Sequence, residues 1–66
     1  SEMSAAELMK LVQQLPAGFR AVFNLFAIEG YSHKEIGEML DITESTSRSQ
    51  FTRAKQLLQR QINTMY

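Results

Sequence analysis

The 66-residue chain has no cysteine, a single histidine, a single proline and three glycines. Without cysteine, neither disulfides nor a Cys-based zinc site can brace it, and one histidine argues against other transition-metal sites. The missing thiols are compatible with a reducing cytoplasm. No apolar run approaches the roughly 18 residues of a membrane span, and no signal peptide is visible. Repeats, linkers and low-complexity segments are absent from the sequence. Nothing in it resembles a nucleotide cradle, a Ser/His/Asp set or a metal site, so neither an enzyme nor a cofactor is expected. The chain begins at Ser1 rather than Met, as expected of an excised or processed C-terminal piece of a longer protein.

What is present must make a core from four Phe, two Tyr and the aliphatic residues. Surface-to-volume scaling limits such a chain to one small domain, here taken as residues 1–66. Seven acids balance seven Lys and Arg, yet they are not evenly spread. Residues 1–42 hold six of the acids against Lys10, Arg20 and Lys34, whereas residues 43–66 hold four bases against Glu44 alone. A molecule polarised in this way can bring its basic end to phosphate.

Four helices are predicted. Ser4-Ala5-Ala6-Glu7 has the form of a capping box, and Leu8, Leu11, Val12 and Leu15 follow at helical spacing, to about Gln14. Leu15-Pro16 ends that helix and suits the start of the next. Phe19, Val22, Phe23 and Phe26, with Leu25 and Ile28, make the second helix apolar over most of its circumference, so it is expected to be the buried centre. Gly30 fits a helix C′ position with φ > 0, and Tyr31 is expected to fold back onto the core. Ser32-His33-Lys34-Glu35 repeats the capping-box pattern and opens a short helix to about Leu40, with Ile36, Met39 and Leu40 inward. Gly37 inside it costs about 1 kcal/mol relative to Ala, which a close approach of another element would explain. Asp41-Ile42-Thr43 then makes a tight turn with Ile42 buried.

The last helix is expected over Thr43–Ile62, with Thr43 as its N-terminal cap. At 100° per residue, Ser47, Phe51, Ala54, Leu58 and Ile62 share one side. Ser45, Ser49, Thr52, Arg53, Gln56 and Arg60 share the other, flanked by Arg48 and Gln50. Small hydroxylated side chains allow a close approach, and the arginines supply donors. That face suits a DNA major groove. A short helix, a three-residue turn and a longer helix form the helix-turn-helix pattern, so the fold class read here is all-α, four helices, without a wing.

The run LPAGFRAVFNLFAIEGYSHKEIGEMLDITESTSRSQFTRAK resembles region 4 of bacterial sigma-70-family initiation factors, particularly the extracytoplasmic-function group. It shares with them the LP start, R-x-V-F-x-L, E-G-Y-S, a K-E-I scaffold and S-T-x-R-S-Q-F-x-R-A-K. The resemblance covers nearly all of residues 8–60. It implies a domain that reads the promoter −35 element and is carried on RNA polymerase core in the bacterial cytoplasm. The DNA-contacting positions that match are Ser45, Thr46, Arg48, Ser49, Thr52 and Arg53. Arg48 is the first choice for a base-edge or phosphate contact and Arg53 for a phosphate clamp. Gln50 replaces an arginine common in the family, and Gln can pair with adenine. Gly37 and Ser47 depart from the pattern, replacing an alanine and an apolar residue. His33 and Lys34 open the short helix, where amides and the helix dipole favour phosphate; for His33 the reading as a solvated helix-start residue stands ahead of a contact. Glu35, Glu38 and Asp41 read as a solvated acidic face. The apolar surface around the first two helices is implied to dock the polymerase β flap, with an anti-sigma factor as a competing partner.

Two alternatives follow from the same residues. The output domain of a LuxR-type regulator shares the K-E-I-x-x-x-L-x-I scaffold but dimerises through a helix after the recognition helix. Here the extra helix lies upstream and dimerisation heptads are not evident, so a monomer in isolation is expected. A helical module that binds only an anti-sigma factor or another regulator is the other alternative.

Overall fold

A computed structural model describes residues 3–65. Its elements are α1 (Ala5–Gln13), α2 (Ala17–Phe23), which runs on into a π-helical turn (Asn24–Ile28), α3 (His33–Leu40) and α4 (Glu44–Met65). At 22 residues, α4 is about 33 Å long and sets the longest dimension of the molecule, 37 Å. The all-α class and the helix-turn-helix order expected from the sequence are those observed among the described residues.

Both capping boxes form. Ser4 and Ser32 each accept the amide of the glutamate three residues on, at 3.1 Å, while Glu7 and Glu35 accept the serine amides at 3.0 and 2.9 Å. Two orphan donors at each helix start are thereby satisfied. Thr43 caps α4, its hydroxyl oxygen accepting the Thr46 amide at 2.9 Å. Gly30 has φ +81°, and the Tyr31 amide returns to the Leu25 carbonyl at 2.9 Å to close the second helix. Asp41 ends α3 in the left-handed region at φ 57°, which Asp tolerates better than most residues.

The core lies between α1, α2 and α4. Leu11, Val12, Leu15, Phe23, Ala54 and Leu58 form one buried cluster, with Met3, Leu8, Phe19, Phe51, Leu57 and Ile62 packed around it. Val22 and Ile36 are also fully buried. Burying side chains of this size contributes about 1.5–3 kcal/mol each. The Arg20 guanidinium donates to the Gln13 carbonyl at 2.9 Å, tying α2 to the exposed end of α1.

Four expectations fail. The second helix is not buried all round: only Val22 and Phe23 are, and Ile28 is 54% exposed. The long α4 covers one side of it, and its last turn projects past that cover. The same segment widens into a π turn, with the Glu29 amide bonded to the Asn24 carbonyl five residues back. Tyr31 stays on the surface, and it is His33 that stacks on Phe26, at 4.1 Å between ring centroids. Met39 and Leu40 are exposed rather than inward. The buried side of α3 is centred between Ile36 and Gly37, which places Met39 about 110° away, while Leu40 falls in the last turn beyond the cover of α4. Ile42 is half-buried.

Gly37 is buried against the turn that follows its own helix. A Cβ there would meet the Ile42 carbonyl oxygen at 2.6 Å and the Glu44 amide nitrogen at 3.3 Å. The glycine lets α3 and the start of α4 approach closely, and so sets where the N-terminal half of α4 projects.

Candidate nucleic-acid interface

The first three turns of α4 carry most of the residues of interest. Phe51, Ala54 and Leu58 are drawn inward by packing on α2 and α1, which leaves the opposite side to solvent. Ser45, Thr46, Arg48, Ser49, Thr52 and Arg53 are all exposed. Arg48, Ser49, Thr52 and Arg53 surround one shallow depression together with Gln56. Gln56 belongs to the same face by its 100° spacing but was not among the contact residues expected from the sequence. Among the described residues, no acid and no apolar side chain lines this depression, so its field is positive and its hydroxyls can come close to a ligand surface.

Three of the residues carry local constraints. Arg48 is ion-paired with Glu44 one turn earlier, and both remain largely exposed. Exposed pairs of this kind contribute about 0–1 kcal/mol, so a phosphate can displace Glu44 at little cost. The Thr46 hydroxyl oxygen accepts a hydrogen bond from Thr43 at 2.9 Å, which leaves its own O–H to donate outward. Gln50 is half-buried rather than on the open face, and its Oε1 lies 3.5 Å from where a Cβ on Gly18 of α2 would stand.

The remaining two residues open α3. Lys34 is exposed. His33 is half-buried, with its ring parallel to Phe26 within 5° and its Nδ1 2.8 Å from the Ser47 hydroxyl oxygen. Ser47 itself is fully buried. Burial, reinforced by the Arg48 guanidinium and opposed by Glu44, holds the His33 imidazolium below its ordinary pKa, so the ring is neutral near pH 7. The capping box already engages the Ser32 and Glu35 amides at this helix start. Hydrogen bonds from Ser32 keep the Glu35 carboxyl below its usual range, and its negative charge competes with any phosphate there.

Residues 5–58 match the family model described as Sigma-70, region 4. The chain belongs to the sigma-70 region 4 family. No curated protein and no solved structure matches the chain. Membership sets aside the LuxR-type reading. Region 4 binds −35 promoter DNA in the company of RNA polymerase and is not a catalytic family. The matched span runs from the first residue of α1 to Leu58 on α4, so it includes every candidate contact residue named above. Among the described residues, no helix is long and apolar enough to cross a membrane, and no group of His, Asp and Glu could hold a metal ion.

Proposed function

We propose that this region 4 domain serves an extracytoplasmic-function sigma factor, that its unit spans residues 1–66, and that it reads the −35 element with the N-terminal half of α4 in the major groove. The observation that carries this reading is the exposed face of Arg48, Ser49, Thr52 and Arg53, without an acid or apolar side chain among them. Arg48, released from Glu44, reaches base edges or a phosphate, and Arg53 clamps the backbone a turn and a half further on. Ser45, Thr46, Ser49 and Thr52 supply short donors. Gln50 contacts DNA only at the edge of the groove, and Lys34 and His33 approach the adjacent backbone from α3.

One such helix buries about 600–1,000 Å² on DNA, which limits the affinity of an isolated monomer. Tethering to the polymerase supplies the missing effective concentration. The groove between α1 and α4, about 320 Å³, has an apolar floor of Leu11, Leu15, Pro16, Leu57 and Leu58 beside the polar Gln14, Arg60, Gln61 and Thr64, and supports docking of the β flap or of a competing anti-sigma factor on that face.

The experiment is an NMR titration of the labelled chain with short duplexes of varied sequence at low and moderate salt. The expected result is sequence-dependent amide shifts at residues 45–53 and 32–34, with weak and strongly salt-dependent binding. Absence of those shifts at low salt would overturn the reading and leave the protein-interaction module in its place. Nanomolar affinity at physiological salt without polymerase would overturn the tethering argument.

A further inference from the structure

Ser47 stands on the buried stripe of α4, between the turn and Phe51, where the family pattern has an apolar residue. It is 0% exposed. A buried hydroxyl without a partner costs about 1–3 kcal/mol, so its partner matters. That partner is His33, fourteen residues earlier on the other helix of the helix-turn-helix. The imidazole is itself fixed: it lies flat on Phe26 at 4.1 Å and is tilted against Phe51 at 5.7 Å between centroids. Phe51 in turn touches Phe26 at 4.7 Å and Phe23 at 5.7 Å. Beyond the turn, where the Ile42 amide bonds the Gly37 carbonyl at 2.9 Å, the core contacts of α4 are apolar, and such contacts tolerate small rotations of one helix on the other. A 2.8 Å hydrogen bond to a clamped ring does not.

We propose that the His33–Ser47 hydrogen bond is a positioning pair that fixes the rotation of α4 about its own axis relative to α3. Ser47 immediately precedes Arg48 and Ser49, so the bond sets the direction in which those side chains leave the helix. A twist of about 20° would carry a group some 6 Å from the axis by about 2 Å, more than a base-edge hydrogen bond tolerates. In the neutral ring with its proton on Nε2, the Ser47 hydroxyl donates to Nδ1. His33 thus acts through α4, and the pair sets DNA specificity without itself touching a base. The specificity part of this inference rests on the proposed DNA-reading function; the rotation does not.

The test uses the 66-residue chain with Ser47→Ala, His33→Phe and the double variant His33→Phe/Ser47→Val. His33→Phe keeps the stacked ring and removes the acceptor. The double variant replaces both partners by apolar groups of similar shape, which restores thermal stability lost in the single variants. Residual dipolar couplings report the orientation of α3 and α4. In parallel, affinity is measured for a duplex selected from a random pool by the wild type and for a scrambled duplex. Each single variant is expected to reorient α4 and to lose about tenfold or more in discrimination, as for one misplaced bidentate contact; in Ser47→Ala, which alters no group proposed to touch DNA, affinity for the scrambled duplex stays nearly unchanged. The double variant is expected to recover stability but not discrimination. Unchanged α3–α4 orientation in the single variants would overturn the pair's role, whatever DNA does. Recovery of both stability and discrimination in the double variant would reduce the pair to packing. A wild type that discriminates no duplex would refute the DNA-reading function instead, and the dipolar couplings would still decide the rotation.

Discussion

The Gly37 Cα and the Ile42 carbonyl oxygen are so close that any β-carbon on Gly37 would sit 2.6 Å from that oxygen. Helix propensity alone makes Gly37→Ala stabilising by about 1 kcal/mol. The clash reverses the sign, because the obstructing atoms are backbone of the turn and cannot swing aside. Gly37→Ala is expected to destabilise the fold by about 2 kcal/mol or more, read from urea denaturation. A variant as stable as wild type would mean that the turn yields freely.

The Glu44–Arg48 pair predicts a trade between partners. Glu44→Ala frees Arg48 and removes the acid paired with it beside the basic face. Affinity for duplex DNA at low salt is expected to rise by about twofold to fivefold in a fluorescence anisotropy titration. Thermal stability should fall by no more than about 1 kcal/mol, from the lost helix-dipole and ion-pair contributions. Weaker DNA binding would show that Glu44 positions Arg48 rather than occupying it.

Arg53 is exposed and has no acid beside it in the depression it shares with Thr52. Arg53→Ala is expected to weaken binding to all duplexes alike and to reduce the slope of log K against log salt by about one. Arg48→Ala should instead alter the preferred sequence. Binding measured across four salt concentrations distinguishes the two.

His33 titrates below its ordinary value of 6.5, with desolvation the main cause and Arg48 the second. The unfolded chain therefore takes up this proton more readily than the folded one. Stability is full above pH 6.5, declines as pH falls below it, and levels off below the folded pKa of His33. Glu35, held below 4.5 by its hydrogen bonds from Ser32, acts in the same sense at lower pH: its stabilisation is present above 4.5 and is lost only in more acidic solution. Urea midpoints at pH 7.5 and 5 should differ in wild type and coincide in His33→Phe. Equal midpoints in wild type would remove His33 from the pH response.

The Thr43 cap is a simpler case. Thr43→Ala removes the acceptor of the Thr46 amide and is expected to cost about 1 kcal/mol, seen as a lowered thermal midpoint.

Local rules reached far in this chain. Ser4, Ser32 and Thr43 announced three helix starts, because a cap is made within four residues of sequence and needs no distant partner. Gly30 announced the end of the second helix for the same reason. The alternation of small polar and cationic residues on α4 also marked its open face, since 3.6-residue periodicity alone separates that face from Phe51, Ala54 and Leu58. The family could be read from the residues as well.

Tertiary structure decided which apolar residues found cover. Ile28, Met39 and Leu40 are as apolar as the residues of the core, and Tyr31 carries a large ring, but burial depends on whether another helix lies over them, and α4 has only one line of contact to offer. The π turn at Asn24 carries no sequence signal, because the register of i→i+5 bonds is chosen by packing. Asn24 Oδ1 is left buried there with no hydrogen-bond partner among the described residues. Above all, the bond between His33 and Ser47 joins residues fourteen positions apart whose pairing no local pattern specifies. Sequence by itself determined the helices, their caps and the chemistry of the exposed face, since these depend on neighbours along the chain. The direction in which that face points was decided only when Gly37, Phe26, His33 and Ser47 met in space, because rotation of one helix on another is fixed by contacts between them.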